Sequence, residues 1–179
     1  MLAEAMADGD VRLLPFLAEH RDPLRAACAK DAAIWDIYPV NMLGEGLDEK
    51  IARFHGGGWV GFALFQDDTL VGTTSYMNVD AANGSVEIGG TYIEPSVRGG
   101  DFNRRIKRLM LDRAFDAGFR RVQFNVDTRN SRSMAALLKL GAVQEGVLRR
   151  HRVTWTGYVR DTAVFAILAD EWREQGSPA

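Results

Sequence analysis

The sequence predicts an α/β fold on a mixed, mostly antiparallel central sheet flanked by helices, and three observations predict it. The strand-like runs "WVGFALFQ", "LVGTTSYMNV" and "SVEIGGTYIE" follow one another across short polar turns, as an antiparallel meander does. An amphipathic helix then leads to "RRVQFNVDT", a connection that makes this strand parallel to the last of the three. Two glycines, Gly89 and Gly90, interrupt the run that should be most regular. Adjacent glycines in a strand mark a bulge or a close approach, so the sheet is expected to splay between its fourth and fifth strands.

The elements follow in order. "VRLLPF" is the first strand. "DPLRAACAKDAAIW" is a helix with Asp22 as N-cap, Pro23 at its first position and an apolar face beyond. "NMLGEGLDEKIARFH" is a weaker helix, and "HGGGW" is a flexible connector into the meander. Asn83-Gly84 links the last two strands of the meander as a hairpin signal. From Phe102 to Ala117 an apolar stripe of Phe102, Ile106, Leu109, Met110 and Phe115 defines a helix that Gly118 closes. "NSRSMAALLKLGA" is a second short helix, and two long strands joined near Thr156-Gly157 complete the sheet. The tail "REQGSPA" reads as frayed.

At 179 residues the chain is expected to be one domain, residues 1–179. A net charge of −2 offers no general attraction to nucleic acid or to an anionic membrane. One cysteine, Cys28, cannot form an intramolecular disulfide and suits a reducing compartment. No run is long and apolar enough to span a bilayer, and the N-terminus lacks a signal-peptide pattern. A cytoplasmic protein is the expectation. His20 and His55 have no metal-like partners, so no metal is expected.

The stretch "EPSVRGGDFNRRIKRL" runs from a strand through glycines into a helix. Helix starts expose unpaired N–H groups and partial positive charge, and glycines let an anion come close. Arg98, Gly99, Gly100, Phe102 and Asn103 could therefore cradle a pyrophosphate; a tight turn with no ligand is the competing reading. The turn is neither a Walker loop nor a G-x-G-x-x-G loop. A gap opened by Gly89-Gly90 would expose backbone groups to an amide-bearing ligand. A long ligand with a pyrophosphate at one end and amides in the middle is coenzyme A.

On the segments "EIGGTYIEPSVRGGDFNRRIKRLMLDRAF", "VQFNVDTRNSRSMAALLKLGAVQEGVLRRH" and "GYVRDTAVFAIL", the chain resembles the GNAT superfamily of N-acetyltransferases, in the ribosomal-protein N-terminal (Rim-type) branch. These segments lie between Glu87 and Leu168, and "RNSRSMAALLKLGAVQEGVLR" is the most specific of them. The resemblance implies acetyl-CoA as donor and an amine-bearing acceptor, a peptide N-terminus or a small molecule. A non-catalytic CoA-binding module and a transferase of longer acyl groups stay open beside it.

The family's phosphate-turn signature, Arg/Gln-x-x-Gly-x-Gly/Ala, falls on Arg98-Gly99-Gly100-Asp101-Phe102-Asn103, with Asp101 where a small residue is common. Asp101 is expected to cap the helix with its side chain. A backbone N–H near Tyr92, with Ile93 beside it, could receive the developing oxyanion. The resemblance puts Glu87 on the acceptor side as proton acceptor or ammonium ligand, against the alternative of a salt-bridged strand residue. It makes Ser133 the general acid toward the CoA sulfur and gives Asn130 a contact to the pantetheine or acceptor, against plain helix capping for both. Trp35 falls where relatives build an acceptor lid, and Asp161 matches a family position that pairs with an arginine or lines the acceptor site. Glu94 reads as a surface residue at a strand end. In "RRHR", strand alternation would put Arg150 and Arg152 on one face and Arg149 and His151 on the other. The exposed C-terminal strands could pair across a homodimer.

Overall fold

The computed structural model describes residues 1–176. Its centre is an eight-stranded sheet in the order β1-β2-β3-β4-β5-β6-β8-β7. The strands are β1 (Met6–Asp8), β2 (Val11–Pro15), β3 (Trp59–Gln66), β4 (Thr69–Asp80), β5 (Ser85–Ile93), β6 (Arg121–Asp127), β7 (Val143–Val153) and β8 (Val159–Leu168). Every neighbouring pair is antiparallel except β5 and β6. The short β1 was not legible in the sequence, so the expected splay between fourth and fifth strands falls between β5 and β6.

Five helices flank the sheet: α1 (Arg21–Ala29), α2 (Gly46–His55), α3 (Phe102–Asp116), α4 (Ser131–Lys139) and α5 (Ala169–Gly176). Helix α3 buries Phe102, Ile106, Met110, Ala114 and Phe115 against Val86, Ile88, Val122, Phe124 and Phe165 of the sheet. Burying one large apolar side chain contributes roughly 1.5–3 kcal/mol, so this stripe is what seats the helix. Leu109, expected in the stripe, is only partly buried. A second cluster joins Leu24, Ala27 and Cys28 of α1 and Leu47 and Ile51 of α2 to Trp35, Ala63 and Tyr92.

Helix ends α3 and α4 share one chemistry. Gly118 has φ of 91° and Gly141 has φ of 93°, conformations that favour glycine. At each, the next two N–H groups turn back onto the last carbonyls of the helix, Gly118 to Phe115, Phe119 to Ala114, Gly141 to Leu138 and Ala142 to Leu137. Helix α1 departs from expectation. It starts at Arg21 with His20 as N-cap, so Asp22 does not cap it and Pro23 is third rather than first. It also stops at Ala29, and Ala32–Ile37 forms a separate 3-10 turn. The expected frayed tail is partly helical, since α5 runs to Gly176; residues 177–179 lie outside the described residues.

Candidate active site

The site begins where β5 leaves both of its neighbours. The parallel ladder to β6 covers only Ser85, Val86 and Glu87, opposite Arg121, Val122 and Gln123. On the β4 side the register slips between Thr73 and Ser75, which leaves Gly90 and Thr91 without strand partners. Three successive carbonyls are taken up by side chains instead. The Ser75 hydroxyl donates to Gly89 O at 2.9 Å, the Lys50 ammonium donates to Gly90 O, and the Tyr38 hydroxyl donates to Thr91 O at 3.0 Å. Gly90 has φ of +60°, and a Cβ there would meet Lys50 Nζ at 2.8 Å. Only glycine fits. The bulge expected from the glycine pair is present, and the edge of β5 that faces β6 is open beyond Glu87.

Two lysines sustain this bulge, and both are buried: Lys50, and Lys107 of α3, whose Nζ donates to Thr91 Oγ1 at 2.7 Å. Thr91 Oγ1 also shares a hydrogen bond with Thr74 Oγ1 at 2.8 Å. Burial pushes Lys50 down to about 8, while burial and the nearby Lys50 charge push Lys107 down to about 7. Neither lysine was singled out from the sequence, because lysine in an amphipathic helix reads as solvated. Lys50 did carry a signal: it lies between Leu47, Ile51 and Phe54 on the apolar stripe of α2.

The expected phosphate turn follows β5. Pro95–Val97 forms one 3-10 turn, Gly99 takes φ of +84°, and Gly99 and Gly100 face open space. The first intrahelical bond of α3 runs from Arg105 N–H to Asp101 O. The N–H groups of Phe102, Asn103 and Arg104 therefore have no acceptor within the helix. Asp101 stands at the N-cap position, but its side chain accepts no capping bond, contrary to expectation, because its backbone is already helical with φ of −94° and ψ of −5°. The turn thus keeps its donors free for an anion, which fits the pyrophosphate of coenzyme A.

Other expected members of this site act differently from the sequence reading. The Arg98 guanidinium donates twice to Ile93 O, at 2.9 and 2.7 Å, and pairs with Asp31, so it clamps the turn rather than reaching into it. The Phe102 ring is in the core, which leaves only its N–H for a ligand. Tyr92 is buried, with its hydroxyl donating to Ala27 O at 2.9 Å, so it can serve a ligand through its backbone alone. Glu94 is buried rather than at the surface, because Lys30 donates to it at 2.7 Å and Ser96 adds a second bond.

Because Asp101 is uncapped and exposed beside free N–H groups, its charge opposes a bound anion. Asp101→Asn should tighten acetyl-CoA binding about twofold to fivefold at low salt, with the gain shrinking in 0.5 M salt. Calorimetric titration at both salts checks this; an unchanged or weaker affinity at low salt would contradict it.

Beyond β6, Asn130 caps α4 by accepting from Ser133 N–H at 3.0 Å. The capping reading of Asn130 therefore holds in the structure. The Ser133 hydroxyl makes no hydrogen bond among the described residues and sits half-buried in the first turn of α4. Helices α3 and α4 follow the two parallel strands, so both helix starts lie at the ends of β5 and β6 where the sheet opens.

Glu87 is 4% exposed, and Asn78 Nδ2 donates to its Oε2 at 2.7 Å. It lies near enough to His151 and Arg160 to favour their charged forms. His151 Nδ1 is 3.0 Å from Thr162 Oγ1, and burial followed by Arg152 and Arg160 holds its pKa below the usual histidine value. The expected alternation through the basic run fails. Arg150 has φ of +51° and donates its N–H to Asp161 Oδ1 at 2.7 Å, and β7 slips register between Leu148 and Arg152. That bulge brings His151 onto the Thr162 face. Asp161 holds the bulge and lines an open depression of about 990 Å³ with Val147, Leu148, Arg149, Arg150 and His151.

Trp35 is not a lid residue that touches ligand. At 1% exposure it stacks on Tyr92 with centroids 4.7 Å apart. Its carbonyl does accept from Trp155 Nε1 at 2.8 Å, and Pro39 O accepts from Trp155 N–H at 3.2 Å. The tip of the β7–β8 hairpin is thereby docked on the segment that carries Tyr38. Among the described residues no group of three His, Cys, Asp or Glu could hold a metal ion, and no helix is long and apolar enough to cross a membrane.

This arrangement has relatives. Residues 10–143 match the family model described as an acetyltransferase (GNAT) domain. A probable GNAT-family acetyltransferase from Chromobacterium violaceum is similar, with 27% identity, a TM-score of 0.87, and coverage of 96% of this chain and 89% of that one. So is a GCN5-related N-acetyltransferase from Brucella melitensis, at 27% identity, a TM-score of 0.80, and coverage of 94% and 80%. RimJ from Mycobacterium smegmatis, solved with CoA-disulfide, shares the fold at 23% identity with a TM-score of 0.77, covering 90% and 83%. Among curated proteins none matches the chain. With a family match across most of its length and a splayed sheet that opens beside a free helix start, this chain belongs to the GNAT family and is an acetyl-CoA-dependent N-acetyltransferase.

Proposed function

We propose that this chain works as one GNAT domain in the cytoplasm and moves an acetyl group from acetyl-CoA to the primary amine of a peptide N-terminus or a small molecule. The observation that carries this reading is the open edge of β5 after Glu87, where side chains rather than a neighbouring strand take up the carbonyls of Gly89, Gly90 and Thr91. The buried free thiol of Cys28, which burial pushes up to about 12, suits a reducing compartment.

Acetyl-CoA supplies an activated thioester. The residues of this chain bind and orient it: N–H groups of the Gly99–Asn103 turn hold the pyrophosphate, and the backbone of β5 at Tyr92 and Ile93 lies along the chain beyond it. Glu87 receives the proton that the acceptor ammonium must lose before its nitrogen attacks the acyl carbon. The carbon–sulfur bond then breaks, and the Ser133 hydroxyl gives its proton to the departing sulfur. The free hydroxyl of Ser133 in the first turn of α4 suits that role, and the partial positive charge of the helix start favours a thiolate beside it.

Ser133→Ala should lower kcat about tenfold to a hundredfold and leave acetyl-CoA affinity within about twofold. Full activity in this variant would remove the serine from the mechanism. The whole reading is tested by calorimetric titration with acetyl-CoA, with AMP as control, followed by CoA release across an amine panel with acetyl-, propionyl- and succinyl-CoA. Micromolar binding of acetyl-CoA alone, with release that depends on an amine, supports it. Binding with no release on any amine would leave a CoA-binding module, and faster release from succinyl-CoA would change the donor.

A further inference from the structure

The acceptor side of the sheet holds a charge that the proposed chemistry does not use. Arg160, on β8, is 4% exposed. Its guanidinium makes a single protein hydrogen bond, from Nε to Thr162 Oγ1 at 3.1 Å. Both Nη nitrogens lack a protein partner among the described residues, yet neither is among the fully sealed, unsatisfied atoms, so they keep some access to solvent. An arginine stays charged under all ordinary conditions, and burying its charge is costly unless its donors are met.

The groups around it do not meet them. Asp127 is the nearest carboxylate in sequence position across the β6–β8 ladder, facing Thr162. Its Oδ1 accepts from Arg129 N–H at 2.9 Å and Nε at 3.0 Å, and its Oδ2 accepts from Arg129 Nη2 at 2.7 Å. Arg129 is in turn laid over the Tyr158 ring at 3.7 Å, so this pair is closed on itself. Glu87 is bonded by Asn78. Arg152 lies directly opposite Arg160 across the β7–β8 pair, on the same face. Arg129 is matched by Asp127 and has Asp36 nearby as well, so Arg152 and Arg160 are left facing one carboxylate, Glu87. His151 is beside them, its charged form disfavoured by burial and by the two arginines. An acceptor that brings an ammonium group to Glu87 adds to a surplus of positive charge unless it brings a negative group as well.

We propose that Arg160, with Arg152 beside it, forms a carboxylate-binding subsite that orients the acceptor, so that the amine acetylated here belongs to an amino acid or peptide bearing a carboxylate near the reactive nitrogen. The inference rests on the reading that Glu87 faces the acceptor. The planar guanidinium offers two parallel N–H donors that match a carboxylate, which fixes orientation as well as charge. A neutral amine would leave these donors buried and unmet, and the site would discriminate against it.

The test does not depend on turnover. The CoA-loaded protein is titrated with N-acetylalanine and its amide, and with the acetyl-Ala-Glu and acetyl-Ala-Gln dipeptide amides. The first pair places the carboxylate on the main chain and the second on a side chain. At least one carboxylate ligand is expected to bind about 10–100-fold more tightly than its neutral partner, and Arg160→Met should reduce that ratio to about threefold or less. Whichever pair shows the preference identifies a free amino acid or an acidic peptide as the acceptor. Equal binding within both pairs overturns the subsite, as does a preference that survives Arg160→Met. If Arg160→Met fails to fold, Arg152→Gln in the same titration should reduce the ratio, and an unchanged ratio there overturns the proposal. Carboxylate-dependent binding without acetyl transfer on any acceptor would leave the subsite standing and refute the catalytic reading instead.

Discussion

Glu87→Gln should lower kcat for acetyl transfer by about a hundredfold or more, while acetyl-CoA affinity stays within about twofold. The substitution is nearly isosteric. Asn78 can keep its hydrogen bond to the side-chain oxygen, so the buried position remains satisfied. What is lost is the ability to take a proton. Glu87 closes the parallel ladder, so its Cα is fixed by β6 on one side while the next residues peel away. A carboxylate placed there sits at the mouth of the gap without depending on a loop. Steady-state kinetics with acetyl-CoA and a productive amine, together with calorimetry for acetyl-CoA, separate the two effects. A variant that retains more than about a third of wild-type kcat would exclude Glu87 as the proton acceptor.

The second large effect is on stability. Lys107→Met should stabilise the protein at pH 7 by on the order of 2 kcal/mol and flatten its dependence on pH between 7 and 8.5. Burial and the neighbouring Lys50 push Lys107 down to about 7, whereas a lysine in the unfolded chain titrates near 10.4. Between those values the unfolded chain holds a proton that the folded chain has released. Unfolding then takes up protons, and stability rises with pH across the window. Below about 7 the lysine is charged in both states and the cost of burying that charge is fully present. Lys50, pushed down to about 8 by burial, acts in the same direction and remains in the variant. The window ends at 8.5 because Cys28, which burial pushes up to about 12, works in the opposite direction once the unfolded thiol ionises. Urea midpoints at pH 7 and 8.5 are the measurement. A wild-type stability that is flat or falling over that range, or a variant that keeps the wild-type slope, would sink the assignment. Methionine suits the site because Thr91 Oγ1 keeps its bond to Thr74 when the ammonium is gone.

These lysines also show why a fold that is legible in sequence leaves its site partly hidden. The meander, the α3 crossover and the bulge at Gly89-Gly90 follow from strand alternation, helical spacing and the glycine requirement at Gly90, all of which act over a few residues. The phosphate turn follows in the same way, because the free N–H groups of α3 are a property of any helix start. Structure and sequence part where a side chain has two plausible partners. By sequence Arg98 faces a ligand and Asp101 a helix end. Asp31 and Ile93 O, which are close only in the folded chain, claim the Arg98 side chain, and the backbone of Asp101 enters the helix too early for capping. Trp35, a lid residue by sequence, is a core residue, because Tyr92 comes to stack on it from a strand more than fifty residues away in sequence. Lys50, Ser75 and Tyr38 reach three consecutive carbonyls of β5 from three separate elements.

The sequence by itself determined the order of elements, the parallel step, the splay and the free helix start, since each depends on local backbone preference and on which residues must be buried. Tertiary structure alone decided which polar groups are spent on holding the bulge and which, like the Ser133 hydroxyl and the Arg160 nitrogens, are left for a ligand. Hydrogen bonds and charges are settled by distance in space, and a polar side chain carries no mark in sequence of the partner that will satisfy it.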